Sequence, residues 1–290
     1  MVGGKQRTMT NYYCTLAQVK SELKAENTTS DNYVLSMIQV VSQRVDELLK
    51  RRYPFFLPYT YAKSVPLDEY THSAYMNTLL LPDYLLSLTS VVVNTTDVTT
   101  NARLYPPNEV PVYRLQLNNN ARWTDYPDDN YPITYVNVTG VWGYNRDYPN
   151  AWQSVDTITT VGGINASATT FTVADADGVD TYGLTPRFSI GNYIKADNEI
   201  MLVIGVNTTT NTLTVRRGVL GTTSATHTQG TAVSTYTVEP IISQTVARQV
   251  GKIYANRGGY TTQSTEAGNF TYPPDLLSEL KNVVSLYLGM

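Results

Sequence analysis

Residues 213–231, LTVRRGVLGTTSATHTQGT, concentrate side chains that can bind an anion or activate a nucleophile. The segment holds the adjacent Arg216 and Arg217, glycines three apart, several hydroxyls and His227. A phosphate site built on such a turn also needs a helix whose free N-terminal amides point at the anion. More turn and strand residues follow these glycines instead, so we expect a β-turn with a solvated arginine pair.

His227 lies far in the sequence from any acid or thiol partner. A histidine that activates a nucleophile needs a positioned Ser or Cys and an orienting acid. The G-x-S-x-G signature occurs nowhere in the chain. We therefore expect a protein that is not an enzyme, with no catalytic residue.

Two acidic segments suggest metal binding or hydrolysis. DADGVD, residues 175–180, has the alternating acidic oxygens and the glycine of a calcium loop, but lacks the distal glutamate and the flanking helices. Asp125, Asp128 and Asp129 can supply paired carboxylates, although clustered acids in a loop rich in Pro and Tyr are usually solvated. We expect ordinary turns in both segments, with no metal and no cofactor.

A basic cluster, Lys50, Arg51 and Arg52, follows an apolar helical pattern. Cations in the last turn of a helix complement its dipole. Contact with a partner or with DNA is the alternative role of these three side chains. The dipole argument favours a helix end.

Composition limits the class of protein. The 290 residues carry a net charge of -3, which argues against holding nucleic acid by phosphate neutralisation but allows transient passage of DNA. Cys14 is the single cysteine, so no disulfide forms within the chain. No apolar run approaches the roughly 18 residues of a membrane span, and no signal peptide is evident. The 23 tyrosines suit interfaces, where one end of the side chain is dry and the other wet.

The hydrophobic pattern predicts helices at both ends of the chain and strands between them. Thr15 and Gln18 have the spacing of a capping box, a second helix runs from Val34 towards Pro54, and a third begins at Pro240. Between them, apolar runs broken by Pro82 and alternating segments predict antiparallel strands. A last amphipathic stripe follows the polar linker after the third helix.

We therefore expect an α+β fold: a discontinuous bundle of N- and C-terminal helices, a small antiparallel β region and an inserted β module resembling a barrel or a sandwich. The two helical parts would share one core. The predicted segments are 1–57 for the first helical part, 58–157 for the β region, 158–234 for the inserted module, and 235–290 for the second helical part with its C-terminal amphipathic segment.

Taken together, these segments resemble the head-to-tail connector proteins of long-tailed bacteriophages, also called adaptor or head-completion proteins. The resemblance covers most of residues 12–157 and 235–257. Residues 187–233 resemble a small β module found inserted in phage structural proteins. The sequences that carry the resemblance are YCTLAQVKSEL, VDELLKRRYPFF, LLLPDYLLSLTSVVVN, YRLQL, VNVTGVWGY, PIISQTVARQVGKIYANR and, for the module, RFSIGNYIKADNEIMLVIGV with LTVRRGVLGTTSATHTQGTAV.

The resemblance implies a ring of identical subunits, commonly dodecameric, that docks beneath the portal of the capsid. Such a ring extends the DNA channel and links head to tail by binding the next neck or tail protein, a stopper or a tail terminator. It implies a virion protein that assembles in the cytoplasm of the host bacterium, without contact to a membrane. The alternative is a β-rich tail component that recognises a receptor or a glycan through its tyrosines.

Overall fold

Strands hold more residues than helices in this α+β fold. The computed structural model describes residues 11–24, 30–51, 53–67, 72–73, 77–118, 123, 135–181, 183–256 and 278–287. The chain divides into two compact units: unit 1 comprises 1–54, 153–219 and 223–290, and unit 2 comprises 55–152 and 220–222. The mixture of helices with antiparallel sheets confirms the expected class, with strands predominating.

Helices occur near both ends of the described chain, and all belong to unit 1. The predicted capping box is present: the Thr15 N–H donates to the Gln18 side chain at 2.8 Å, and the Gln18 N–H donates to the Thr15 hydroxyl at 3.2 Å. The third helix begins at Pro240, as its fixed φ favours. The helices are α1 Leu16–Leu23, α2 Asp31–Leu48, α3 Pro240–Asn256 and α4 Ser278–Ser285.

α3 is the common neighbour of the other helices. α1, α2 and α4 each pack against it, so helices from opposite ends of the sequence are in contact. Ile242, Val246 and Val250 are fully buried on α3. Arg248 and Lys252 of the same helix form ion pairs with Glu279 of α4, at 2.6 and 2.5 Å.

Unit 2 contains a seven-stranded antiparallel sheet. Its main strand order is β1-β7-β3-β6-β5, and β2 and β4 pair with β3. Apolar side chains on one face of the sheet form a core around Trp142 and Leu115. The strands are β1 Tyr59–Pro66, β2 His72–Ser73, β3 Thr78–Val93, β4 Thr96–Asp97, β5 Ala102–Leu104, β6 Val112–Leu117 and β7 Tyr135–Trp142.

β3 corrects one expectation from the sequence. Pro82 and Asp83 were expected to separate two apolar runs, but the strand continues through them. The pairing between β3 and β6 is irregular at this point, because it passes from Leu80 directly to Leu85. A proline is tolerated at such a bulge, where the ladder needs no N–H donor.

Unit 1 contains a six-stranded antiparallel sheet, with the order β8-β13-β10-β11-β12-β9. An isolated bridge between Ile158 and Val173 links the two ends of this order. Phe171, Ile194 and Met201 belong to the buried cluster that the sheet encloses. The strands are β8 Trp152–Thr157, β9 Thr170–Thr172, β10 Tyr193–Ala196, β11 Glu199–Asn207, β12 Thr212–Arg216 and β13 Ala232–Tyr236.

Within unit 1, the first helix is fixed directly to the six-stranded module. The Leu16 N–H donates to the Ile190 carbonyl at 3.0 Å, and the Ala17 N–H donates to the Ser189 hydroxyl at 3.1 Å. These are two of the amides that a helix N-terminus leaves without a partner in the helix. The module therefore completes the capping of α1.

Candidate functional site

The strongest cluster of polar side chains surrounds Glu199, at the start of β11. Its carboxylate is completely buried, and a salt bridge joins it to Arg217, whose side chain is only 5% exposed. The Arg217 Nε donates to Oε1 and Nη2 donates to Oε2, both at 2.7 Å. The backbone N–H groups of Gly218 and Ala225 add hydrogen bonds of 2.9 and 2.8 Å. The pair is therefore bidentate and backed by the main chain.

Arg217 corrects the expectation of a solvated arginine pair. Only Arg216 points into solvent. Besides Glu199, Arg217 donates to the carbonyls of Asn165, Ala168 and Ala225, at 2.9, 2.7 and 2.6 Å. A guanidinium with these partners ties the turn at 165–168 and the loop at Ala225 to the start of β11, and it has no N–H left to donate to a phosphate.

His227 lies between two carboxylates. Its Nδ1 is 2.7 Å from the Asp197 Oδ2, and its Nε2 is 2.9 Å from the Glu199 Oε2. Both nitrogens can donate only when the ring carries two protons. Asp197 is 63% exposed, whereas the imidazole is 1% exposed. The main chain of His227 also pairs with Ile164, at 2.8 and 2.9 Å.

The cluster has the residue types of a catalytic site but the bonding of a structural one. Within 135–181 and 183–256, no hydroxyl or thiol is hydrogen-bonded to the imidazole of His227. Burial alone would raise the pKa of Glu199, but the hydrogen bonds from Arg217, Ala225, His227 and Gly218 lower that pKa to about 2. A carboxylate so fully engaged is too weak a base to take a proton from a substrate.

The acidic loop at 175–180 holds a guanidinium. Arg187 donates from Nη1 to the Asp156 carboxylate at 2.8 Å and to the Asp175 carbonyl at 3.3 Å, and from Nε to the Val179 carbonyl at 3.0 Å. Asp175 accepts the Gly178 N–H at 2.9 Å, as expected for an Asx turn.

The remaining acidic oxygens of that loop do not gather around one point. Asp180 accepts the Leu184 N–H at 2.8 Å, and Asp177 is exposed. Among all described residues, no group of three or more His, Cys, Asp or Glu side chains is arranged to hold a metal ion. Asp125, Asp128 and Asp129 lie outside the described residues.

The basic cluster lies beyond the helix rather than in its last turn. α2 ends at Leu48, and Lys50 has a positive φ of 55°. The Lys50 N–H still donates to the Glu47 carbonyl at 3.0 Å, so the backbone turns sharply away from the helix axis here. The expectation that these cations lie in the last turn is wrong for Lys50 and Arg51, which lie two and three residues past the end of α2. Arg52 lies outside the described residues.

A second polar network was not anticipated from the sequence. Asp46 of α2 accepts hydrogen bonds from the Asn11 amide, at 2.6 Å, and from the Tyr13 hydroxyl. The Tyr13 N–H donates to the Ser42 hydroxyl at 3.0 Å. A buried polar side chain on α2 was the available signal, since Ser42 and Asp46 interrupt the apolar face. These contacts hold the segment before α1 against α2.

The single cysteine is part of the same buried region. Cys14 is 3% exposed, and burial raises the pKa of its thiol. The reactive form of a cysteine is the thiolate. Cys14 is therefore a packing residue rather than a nucleophile.

Among the described residues, no helix has both the length and the apolar character that crossing a bilayer requires. Comparison of the chain with protein-family models, with curated proteins and with solved structures finds no match. The function must therefore be inferred from the arrangement of the side chains. At Arg217, His227 and the loop around Arg187, this arrangement indicates side chains that are bonded within the protein rather than free to act on a substrate.

Proposed function

We propose that the chain is a structural subunit of a bacteriophage neck, in which identical copies form a ring. The ring docks on the portal, extends the DNA channel and links the head to the tail through the next neck or tail protein. No catalysis and no cofactor are part of this function. The proposal includes a discontinuous helical bundle, built from α1 and α2 together with α3 and α4, as part of the ring wall.

The contact between helices from the two ends of the sequence is the observation that carries the proposal. α3 packs against both α1 and α2, as a shared helical core requires. The helices also keep apolar side chains at the surface: Val40 of α2 is 56% exposed, and Ile241 of α3 is 44% exposed. In the proposed ring, these exposed positions on the helices are where we expect contact with a neighbouring copy.

The saturated Glu199 cluster favours a mechanical role over a chemical one. Its buried arginine, histidine and carboxylate satisfy one another, and the network holds the turns of the module in place. Fully bonded buried networks make a structure rigid. Rigidity is what a subunit needs when it lines a channel and transmits load between head and tail.

Charge supports passage of DNA rather than its retention. Neutralising phosphates requires a concentration of Lys and Arg, and affinity grows with each such contact. The chain carries 21 Lys and Arg against 24 Asp and Glu. A lumen with a neutral or acidic surface lets a duplex slide, whereas a basic one would hold it.

The test is the native mass of the purified chain at assembly concentrations, with and without the portal protein. We expect a ring of many copies, formed alone or on the portal. Val40→Glu should lower the fraction in rings at least tenfold, because it places a charge in the apolar helix interface. Thr209→Glu adds the same charge in an exposed turn and should leave assembly unchanged. A chain that stays monomeric in both conditions refutes the proposal.

A second candidate function is a tail component that binds a receptor or a glycan. The predominance of strands favours it, as does Tyr113, which is 41% exposed and has the Arg114 guanidinium 4.6 Å from its ring centre. Exposed aromatic rings stack on sugars. Binding to a glycan array without affinity for portal would support this function over the neck.

A further inference from the structure

The sheet of unit 2 ends in two edge strands, β1 on one side and β5 on the other. Edge strands present backbone N–H and C=O groups that no neighbouring strand satisfies. Both groups of one residue point to the same side of a strand, and the side alternates along the chain. Hydrogen bonds at the ends of each strand therefore identify the outward residues.

In β1 the backbone N–H and C=O groups of the even-numbered residues point away from β7. The Thr60 N–H donates to the Leu220 carbonyl at 2.9 Å, on the side away from β7. The opposite end agrees: the Tyr135 carbonyl accepts the Asn94 N–H at 3.1 Å, so the backbone of Tyr135 faces β3. Pro66 is paired with Tyr135. Because the Tyr135 backbone faces away from β1, this pair exchanges no hydrogen bonds, and the Pro66 backbone faces away from β7.

Ala62 and Ser64 lie between these two ends. By the same alternation, their backbone N–H and C=O groups point outward, and no described residue pairs with them there. Both side chains are small and exposed, so another backbone can approach closely. Charges on an edge strand oppose such pairing, but Lys63, the one charged residue of β1, is ion-paired with Asp83. Among the described residues, this edge has no neighbour along its middle.

In β5 the residue whose backbone N–H and C=O groups both remain open on the outer edge is Leu104. The Tyr105 N–H donates to the Arg114 carbonyl at 3.1 Å, and the Asn101 carbonyl accepts the Asn118 N–H at 2.7 Å, so the odd-numbered residues face β6. The N–H and C=O of Leu104 therefore point away from the sheet, and no described residue satisfies them.

We propose that β1 of one copy pairs with β5 of the next copy, so that the sheets of unit 2 join from subunit to subunit. This pairing rests on the proposed ring and adds to its helical contacts. A closed ring needs two different, complementary surfaces on each copy. The two edges of one sheet meet that need, because any edge backbone can add to another by strand addition.

The pairing is short. The Ala102 N–H is already bonded to the Val98 carbonyl at 3.0 Å, which leaves Leu104 as the outward donor of β5. One junction thus contributes few hydrogen bonds, each worth about 1 kcal/mol net. Such contacts become effective only when a ring closes and every copy is held on both sides.

Ala62→Pro tests the pairing, because proline removes an outward N–H that has no partner among the described residues of the monomer. Proline is tolerated in an edge strand where its position faces solvent. We expect the variant to keep the circular dichroism spectrum and, within about 3 °C, the Tm of the wild-type monomer. Its fraction in rings should fall at least tenfold. Ala62→Ser, which retains the N–H, is the matched control and should assemble normally.

Hydrogen exchange of the wild-type chain gives a second, independent reading. The amides of Ala62 and Ser64 should exchange at least about 100-fold more slowly in the assembly than in the monomer. Rings that form normally from Ala62→Pro, or wild-type rings in which these amides remain unprotected, overturn the strand pairing and leave the ring itself standing. A wild-type chain that forms no ring, alone or with portal, overturns both.

Discussion

Glu199→Gln measures how much the negative charge of the buried carboxylate contributes to stability. The substitution keeps the size and shape of the side chain but removes the negative charge opposite Arg217, whose side chain is 5% exposed. It also replaces one oxygen with an amide that must face an Arg217 donor together with the N–H of either Gly218 or Ala225. The folded state then contains a buried guanidinium without its counter-ion.

We expect Glu199→Gln to lower the free energy of unfolding substantially. Removing one partner of a buried ion pair destabilises a protein by about 3–5 kcal/mol, because the remaining charge is uncompensated. In a domain of roughly 150–250 residues each kcal/mol lowers Tm by about 2–4 °C. We therefore expect a fall in Tm of about 6–20 °C for the transition of unit 1.

Thermal unfolding followed by circular dichroism and by calorimetry measures this change. Glu109→Gln is the control, since it removes the same charge from an exposed position and should shift Tm by less than about 2 °C. Arg217→Met combined with Glu199→Gln removes both charges and should recover part of the loss. A Tm for Glu199→Gln that matches the control would refute the assignment of Glu199 as a structural anchor.

Three further outcomes follow from the described contacts. Because the pKa of Glu199 is lowered from 4.5 to about 2, its stabilising contribution is complete above pH 4.5 and is lost as pH falls towards 2; urea titrations should show a flatter acid profile for Glu199→Gln. Gly140→Ala places a Cβ 2.3 Å from the Ser87 carbonyl oxygen and should cost about 1–3 kcal/mol in urea unfolding, whereas Gly251→Ala, with its nearest contact at 3.7 Å, should stabilise α3 by up to about 1 kcal/mol. Cys14 should react with a thiol reagent at least about 100-fold more slowly in the native chain than in urea; equal rates would mean that it is accessible.

Local patterns predicted the features that depend on neighbouring residues. The capping box of Thr15 and Gln18 and the start of α3 at Pro240 are set within one helical turn. The alternating segment at β7 likewise predicted a half-buried strand, and burial alternates along it. Each of these depends on interactions at short sequence distance, so a pattern of a few residues is enough to predict it.

The Glu199 cluster depends on strand register, which no single segment specifies. β11 and β12 pair with Leu202 opposite Arg216, and this register brings Arg217 towards the start of β11. His227 arrives through a separate bridge to Ile164. Sequence separation made His227 look isolated, although two acids lie next to its ring. Spatial neighbours 28 or 30 residues apart leave no periodic signal.

The bridge between Ile158 and Val173 bears on how the module can be gained or lost in evolution. It joins the two end strands of the six-stranded module at one residue pair, so these strands lie next to each other. The first and last strands, β8 and β13, are neighbours in the strand order, and Ile158 exchanges hydrogen bonds with Thr231 and Gly230 where they meet. Entry and exit of the polypeptide therefore lie side by side. A single in-frame insertion or deletion in the gene can therefore add or remove the module, because the chain on either side of it keeps the same path.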